Sequence, residues 1–229
     1  MRSEAQSSEA RAEMVDGLLA AYGQGLFPMA EPGGAVRWYD PDPRGVFGLG
    51  EGGLRVSRSL RQAVRSGRFE VTCDRAFGGV IRACAEPRAG QDGGAWIDDR
   101  IVGAYEALHA AGHAHSVEAW RDGVLVGGLY GVRRRGLFAG ESMFSRPEFG
   151  GTDASKVCLV HLWHHLRASG GVVLDTQFWT PHLGSLGCVE VRRHEYRALL
   201  AEAMEREGGW GVFDPGRAAG ALRAHGGGC

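Results

Sequence analysis

The sequence predicts an α+β protein, with a mixed, mostly antiparallel sheet flanked by helices and a small module at the N-terminus. Runs that alternate like strands are interleaved with segments of helical periodicity. Three strand-like runs follow one another between residues 115 and 146, which indicates an antiparallel meander. With 229 residues, 44% of them hydrophobic, the chain can bury a substantial core.

The N-terminal part is predicted to form one helix and a folded, loop-rich module. Apolar residues recur at helical spacing over 10–22, and glycines end this helix. The stretch 26–44 is rich in proline and glycine, yet it carries aromatic residues that a plain linker would not need. We therefore predict a module over 1–48, docked on a larger domain over 49–229, with the boundary between Pro43 and Gly53.

A second predicted helix carries a row of arginines. Ser57 is expected to cap it, and Arg58, Arg61 and Arg65 lie on or near one of its faces. This face is either solvated or a surface that contacts successive phosphates, because arginines presented together bind phosphate groups.

The remaining elements follow from periodicity and turn residues. Asp122-Gly123 is a hairpin signal, and Thr180-Pro181 is typical of a helix start. The predicted elements are strands at 54–56 and 69–73, helices at 76–85 and 98–111, strands at 115–121, 124–132 and 136–146, a helix at 153–168, a strand at 172–177, a short helix from 181, a strand at 188–191 and a helix at 194–206.

Net charge and cysteine content limit the partners and the cellular compartment that we expect for this protein. A net charge of −1 gives no bulk field that selects nucleic acid or membrane. The five cysteines lack paired spacing, which argues for a reducing compartment and against a disulfide frame. The N-terminus is polar and no run reaches membrane-spanning length. We expect a cytoplasmic protein without a membrane partner.

Several catalytic chemistries find no support in the sequence. His113 with His115, and His161 with His165, have spacings that some metal sites use, but a structural role is the commoner explanation. No GxSxG, P-loop or GxGxxG motif is present. We therefore expect neither a metal nor a cofactor.

An acid and an acid–amide pair interrupt apolar strands. Glu141 lies within a strand-like apolar run, and Asp175 and Gln177 end another, two residues apart and hence on one face. A buried acid is costly unless it is paired or functional. We expect the three to share one pocket, either as a polar network joining two strands or as a site that holds a cation or accepts a proton.

A series of short blocks carries a family resemblance. In chain order they are 25–28 (GLFP), Trp38, 42–44 (DPR), 57–59 (SRS), 96–97 (WI), 112–118 (GHAHSVE), 127–131 (GGLYG), 138–146 (FAGESMFSR), 154–156 (ASK), 175–177 (DTQ) and 185–187 (SLG). In this order, from about residue 18 to 196, the chain resembles the leucyl/phenylalanyl-tRNA–protein transferases.

The resemblance implies an activity, a fold and partners. The enzyme would move leucine or phenylalanine, with methionine as a further candidate, from aminoacyl-tRNA to the N-terminal Arg or Lys of acceptor proteins. That transfer marks them for N-end-rule degradation. The implied fold is a small N-terminal domain and a larger domain like GNAT acetyltransferases. We expect a monomer that needs no cofactor.

The resemblance also implies roles at the pocket. Asp175 and Gln177 would form the relay that helps deprotonate the attacking amine, and Glu141 would hold the acceptor's basic end. Whether Asp175 is a base or an electrostatic anchor stays open.

Further residues are implied in substrate binding. Leu129 and Phe138 would line the apolar pocket for the aminoacyl side chain, and Trp96 would stack on the terminal adenine. The arginine face, with Arg58, Arg61 and Arg65, would contact tRNA phosphates. The remaining expected substrate-binding residues are Met29, Trp38, Tyr105 and Leu174.

The chain departs from the family pattern near its N-terminus. Met29 stands where the family usually has tryptophan, so adenine stacking on that side should be weaker. The usual Gly-Gly-Asp-Leu element before the first matched helix is missing, so we expect a smaller N-terminal module.

Two other functions remain as alternatives. A GNAT-like acyltransferase with another donor predicts a glycine-rich pyrophosphate loop before a helix, which the sequence lacks. A non-catalytic RNA-binding module is the second alternative, and it would give Glu141, Asp175 and Gln177 no function.

Overall fold

The computed structural model describes residues 2–31, 35–87 and 97–224. Its helices are α1 Arg2–Gly23, α2 Arg58–Arg65, α3 Phe77–Ala85, α4 Asp99–Ala110, α5 Ala154–Ala168, α6 Pro181–Ser185, α7 Arg193–Glu205 and α8 Gly216–Ala224, with a 3₁₀ turn at Pro147–Phe149. Its strands are β1 Phe27–Ala30, β2 Val36–Tyr39, β3 Arg44–Gly48, β4 Glu70–Cys73, β5 Ala114–Arg121, β6 Val124–Arg134, β7 Leu137–Ser145, β8 Val173–Gln177 and β9 Val189–Val191.

Seven of these strands form one mixed sheet in the order β4-β5-β6-β7-β8-β3-β9. The β7–β8 pair is parallel and every other pair in this sheet is antiparallel. This confirms the predicted α+β class and the meander β5-β6-β7. Asp122 and Gly123 both have positive φ, 52° and 77°, as a tight hairpin turn between twisted strands requires.

Helices cover both faces of this sheet. One apolar cluster joins α1, α3, α4 and α7 to the sheet and includes Tyr130. The other joins α2, α5 and α8 and includes Leu129, the preceding residue of β6. Neighbouring residues of a strand point to opposite faces, so the central strands β3, β5, β6, β7 and β8 contribute to both clusters. At Gly127, an added Cβ would lie 2.4 Å from Ala154 Cβ, so the glycine allows α5 to begin directly against β6.

Side-chain caps are found at three helices, and the sequence predicted those at Ser57 and Thr180. The Ser57 hydroxyl accepts from Leu60 N, the Asp98 carboxylate from Ile101 N, and the Thr180 hydroxyl from Leu183 N. Helix-forming local sequence and tertiary packing therefore agree at these positions.

Four local predictions were incomplete or wrong. Helix α1 begins at Arg2 rather than near residue 10, and α8 was not predicted. The predicted strand at 54–56 is not a strand. Strand β3 was missed because its residues, RGVFG, are buried at four successive positions and show no alternation.

Strand β3 also bears on the predicted domain boundary. It pairs with β8 and β9, so residues 44–48 belong to the large sheet, whereas β1 and β2 form a separate two-stranded sheet. The division into two domains stays a prediction, and this pairing favours a boundary just before Arg44. None of the described helices is both long and apolar enough to cross a membrane.

Candidate active site

A crevice opens where the two parallel strands separate. Strand β7 pairs with β8 only over 137–139, and then continues to Ser145 along β6 alone. Beyond Ala139 and Asp175 the two strands diverge, so their carboxyl ends border a gap in the sheet. Such a gap between parallel strands is a common place for a ligand in sheet-based enzymes.

A β-bulge turns Glu141 out of the regular strand pattern. Tyr130 pairs with Ser142, and Gly131 pairs with Gly140, so Glu141 is the extra residue without a partner on β6. Bulges locally bend a strand and re-aim a side chain. The bulge explains how an acidic residue can lie within an apolar strand and still reach the polar edge of the crevice.

Two tyrosines and one amide surround the Glu141 carboxyl group. Tyr22 Oη lies 2.7 Å from Oε1 and Tyr105 Oη 3.0 Å from Oε2. Gln177 Nε2 donates to Oε1 at 3.3 Å. Burial raises the pKa of Glu141 to about 7, although the two phenol hydrogen bonds oppose that rise. The Asp175 charge also raises this pKa.

Asp175 is held as the acceptor of an arginine fork. Arg44 Nε donates to Oδ1 at 2.9 Å and Nη2 to Oδ2 at 2.7 Å, and both side chains are only 1% exposed. Tyr196 Oη donates to Oδ2 and Gln177 N to Oδ1, each at 2.8 Å. The Arg44 guanidinium also lies over the rings of Phe27 and Tyr196, 4.9 and 4.6 Å from their centroids. Both carboxylate oxygens are therefore occupied.

Gln177 connects the two carboxyl groups. Its backbone N–H binds Asp175 and its side-chain amide binds Glu141. Its φ of 59° lies in the left-handed region, a strained conformation that the Asp175 hydrogen bond helps to hold. The structure thus brings the three predicted polar residues into one network. Sequence reasoning missed Tyr22 and Arg44 as members of it.

An apolar cavity of about 110 Å³ adjoins Glu141. Its walls come from both sides of the crevice and from α5 and α6, and consist of Phe47, Leu129, Tyr130, Gly140, Glu141, Ser142, Met143, Leu159, Leu162, Leu174, Thr176 and Leu183. Leu129 and Leu174, two of the expected substrate-binding residues, line it. Phe138 does not: its side chain is fully buried and packs against Trp210.

The other predicted substrate-binding residues differ in accessibility. Trp38 is 50% exposed on β2, and Met29 is half-buried on the adjacent β1. Tyr105 has no exposed surface and reaches the site through its contacts with Glu141 and Tyr22. Trp96 lies outside the described residues.

The arginine face of α2 is only partly exposed to solvent. Arg58 and Arg65 are exposed on α2. Arg61 is half-buried, and its Nη1 donates to Leu222 O of α8 at 3.3 Å. Helix α2 therefore offers two open arginines and a third that also holds α8.

Of the histidines with metal-site spacing, His115, His161 and His165 are buried and His113 is half-buried. His115 Nδ1 lies 2.7 Å from Asp74 Oδ2, and its ring stacks on Trp210. Burial lowers the pKa of His161 and of His165 to about 4. Within 2–31, 35–87 and 97–224, no group of three or more His, Cys, Asp or Glu side chains is placed to hold a metal ion.

Together the crevice and its side chains define a class of site: an apolar pocket beside a buried carboxyl group, an arrangement typical of enzyme pockets. The family model of leucyl/phenylalanyl-tRNA protein transferase matches residues 49–201, and the model of its N-terminal domain matches residues 15–42. The chain therefore belongs to the leucyl/phenylalanyl-tRNA protein transferase family.

Relatives support this membership over most of their length. A leucyl/phenylalanyl-tRNA–protein transferase of Herpetosiphon aurantiacus is 49% identical over 188 residues, covering 82% of this chain and 93% of the relative. One of Rhodopseudomonas palustris, strain TIE-1, is 50% identical over 205 residues, covering 88% of each. One of Rhizorhabdus wittichii is 52% identical over 191 residues, covering 82% of this chain and 74% of the relative.

Likenesses to solved structures are distant. L-PGS from Bacillus licheniformis is 12% identical with a TM-score of 0.40, covering 72% of this chain and 53% of that one. A tandem GNAT protein from the clavulanic acid biosynthesis pathway is 13% identical with a TM-score of 0.36, covering 77% and 58%. Likenesses this distant say nothing of donor or acceptor.

Proposed function

We propose that this protein transfers leucine or phenylalanine from aminoacyl-tRNA to the α-amine of a protein that begins with Arg or Lys. The observation that carries the proposal is the apolar cavity that ends at the Glu141–Gln177–Asp175 network, in a chain of this family. The cavity receives the side chain of the donor, and the network receives the amine.

The walls of the cavity favour uncharged aliphatic or aromatic side chains. Leu129, Leu159, Leu162 and Leu174 are among the apolar residues that line it. A charged donor side chain would lose its hydration among these apolar walls. Leucine, phenylalanine and methionine are the donors that this surface admits.

The reaction needs positioning more than activation of the donor, because an aminoacyl ester is already reactive. The amine nitrogen attacks the ester carbonyl carbon and a C–N bond forms. The bond from that carbon to the ribose oxygen then breaks. The amine proton passes to the Glu141 carboxylate and from there to the ribose oxygen, so that an amide and a free hydroxyl result.

The structure favours one division of roles. Asp175 acts as an electrostatic anchor, because the Arg44 guanidinium binds both of its oxygens and holds it as half of a buried charge pair. Gln177 orients the amine. Glu141 accepts the proton, because a pKa of about 7 suits proton exchange near neutral pH better than the binding of a fixed cation. This differs from the role in cation binding that the resemblance implied for Glu141.

The tRNA is proposed to approach from the exposed side of α2 and β2. Arg58 and Arg65 are open to phosphates, and Arg61 supplies further positive charge. Trp38, with half of its surface exposed, suits stacking on an unpaired base. In this proposal the enzyme works as a cytoplasmic monomer, and its products enter N-end-rule degradation.

The alternatives are weaker on specific grounds. A non-catalytic RNA-binding module gives no reason for a bulge that aims Glu141 at an apolar cavity. A GNAT-like enzyme with another donor would transfer its acyl group without charged tRNA, which the assay can decide.

The test is transfer of radiolabelled leucine or phenylalanine from charged tRNA to a peptide that begins with arginine. We expect transfer to this peptide and none to the same peptide with an acetylated N-terminus, because the α-amine is the nucleophile. A peptide beginning with glycine controls for acceptor choice. Absence of transfer to the arginine peptide by the wild-type protein would refute the proposal.

A further inference from the structure

Three groups at the crevice form a closed triangle of hydrogen bonds. Tyr22 Oη contacts Glu141 Oε1, Tyr105 Oη contacts Glu141 Oε2, and the two phenol oxygens also contact each other. Tyr22 is 2% exposed and Tyr105 has no exposed surface, so bulk water does not replace any of these contacts. The triangle joins α1, α4 and β7.

Each side of the triangle needs one proton, and the two phenols supply only two. A hydroxyl group donates a single hydrogen bond, and an ionised carboxylate donates none. If Glu141 were ionised, both phenols would donate to it and their mutual contact would have no proton. A neutral carboxyl group would supply the third proton, and with it all three contacts can be hydrogen bonds.

We propose that Glu141 is a neutral carboxylic acid in the resting enzyme, and that Tyr22 and Tyr105 are positioning residues that set the pH at which it becomes the ionised proton acceptor. The proposal rests on the transfer reaction proposed above. The raised pKa of Glu141 agrees with it. Ionisation removes the Tyr22–Tyr105 bond and leaves two phenol donors on the carboxylate, where charge strengthens them.

The remaining groups that face Glu141 do not replace this pair. From β8, Asp175 disfavours its charge, and from β3, Arg44 favours it, but these two are bound to each other. Gln177 of β8 is neutral in every state. Tyr130 of β6 is buried, and its hydroxyl has no hydrogen-bond partner among the described residues. In the described part of the chain, only Tyr22 and Tyr105 donate phenol hydrogen bonds to this carboxyl group.

One test does not depend on activity. Glu141 has an ordinary pKa of 4.5, which the fold raises to about 7, so the folded state holds one proton more than the unfolded state between these pH values. The contribution of this group to stability is therefore present below pH 4.5 and is lost as pH rises through 7. Urea unfolding of wild type and Glu141→Gln should show wild type losing stability relative to the variant between pH 5 and 8, because the amide that replaces the carboxyl group stays neutral.

A second test separates positioning from packing. Tyr22→Phe and Tyr105→Phe keep the rings but remove one donor each from the ionised carboxylate. The pH of half-maximal kcat/KM for transfer should move up by about one unit in each. Tyr39→Phe is the matched control, since it removes a hydroxyl bound to Glu31 and should leave this pH unchanged.

The outcomes separate this proposal from the proposed function. Transfer by wild type with an unshifted profile in both phenylalanine variants overturns the role of the tyrosines. Equal pH dependence of unfolding in wild type and Glu141→Gln overturns the neutral acid, whether or not transfer occurs. If a variant does not fold, the carboxyl groups of wild type are titrated by ¹³C NMR instead. The Glu141 signal is assigned as the one that is absent from the spectrum of Glu141→Asp. A Glu141 signal that titrates near pH 4.5 would also overturn the proposal.

Discussion

Removal of the Arg44 charge should destabilise the protein far more than removal of an exposed arginine. Arg44 and Asp175 are each 1% exposed and share two hydrogen bonds of 2.9 and 2.7 Å. In Arg44→Met, Asp175 keeps Tyr196 and Gln177 N as donors but has no counter-charge. Loss of one partner of a buried pair costs about 3–5 kcal/mol.

That free energy is measurable by heat and by denaturant. In a protein of this size, each kcal/mol lowers the Tm by about 2–4 °C, so Arg44→Met should lose roughly 6–20 °C. Asp175→Asn should lose a comparable amount, because the buried guanidinium loses its hydrogen-bonded counter-charge and keeps only Asp40, 3.9 Å away, as an ion partner. The double variant should recover most of one loss, since no buried charge remains unpaired.

An exposed pair supplies the control. Arg206 and Glu202 also lie 2.7 Å apart, but their side chains are 56% and 52% exposed. Arg206→Met with Glu202→Gln should change the free energy of unfolding by about 1 kcal/mol or less. If Arg44→Met behaves like this control, or if the two buried substitutions are simply additive, Arg44 does not anchor Asp175.

Two further predictions concern donor and tRNA binding. Leu129→Phe narrows the cavity and should reduce kcat/KM for phenylalanine by about tenfold or more relative to that for leucine. Leu125→Phe, on the same strand but outside the cavity, should not change this ratio. Filter binding of charged tRNA over a salt series tests the arginines of α2. Arg58→Ala with Arg65→Ala should weaken binding and reduce the slope of log K against log salt by about 2, whereas Arg82→Ala on α3 should leave the slope unchanged. Equal transfer of both amino acids by Leu129→Phe, or an unchanged slope, would contradict the corresponding assignment.

Much of the fold follows from local sequence. Helical spacing, period-two alternation and turn residues such as Asp122-Gly123 are properties of neighbouring residues, so the elements and the central meander could be predicted. Strand β3 could not, because a strand buried on both faces lacks alternation. Its place between β8 and β9 depends on residues more than a hundred positions away.

The site divides in the same way. Glu141, Asp175 and Gln177 were recognisable because burial of a polar residue in an apolar strand costs free energy unless the residue is paired or functional. Phe138 was expected on resemblance alone to line the donor's pocket. It is fully buried and does not line the cavity beside Glu141, and its role stays a prediction. The expected role of Trp96 at the terminal adenine stays a prediction.

Sequence alone shows which polar residues are unusual, because that depends only on their neighbours along the chain. Only the folded chain shows what they bind. Asp175 meets Arg44 across 131 positions and Glu141 meets Tyr22 across 119. The bulge that aims Glu141 depends on the register between β6 and β7, which the whole sheet fixes. Partners, burial and hence protonation therefore belong to the tertiary structure.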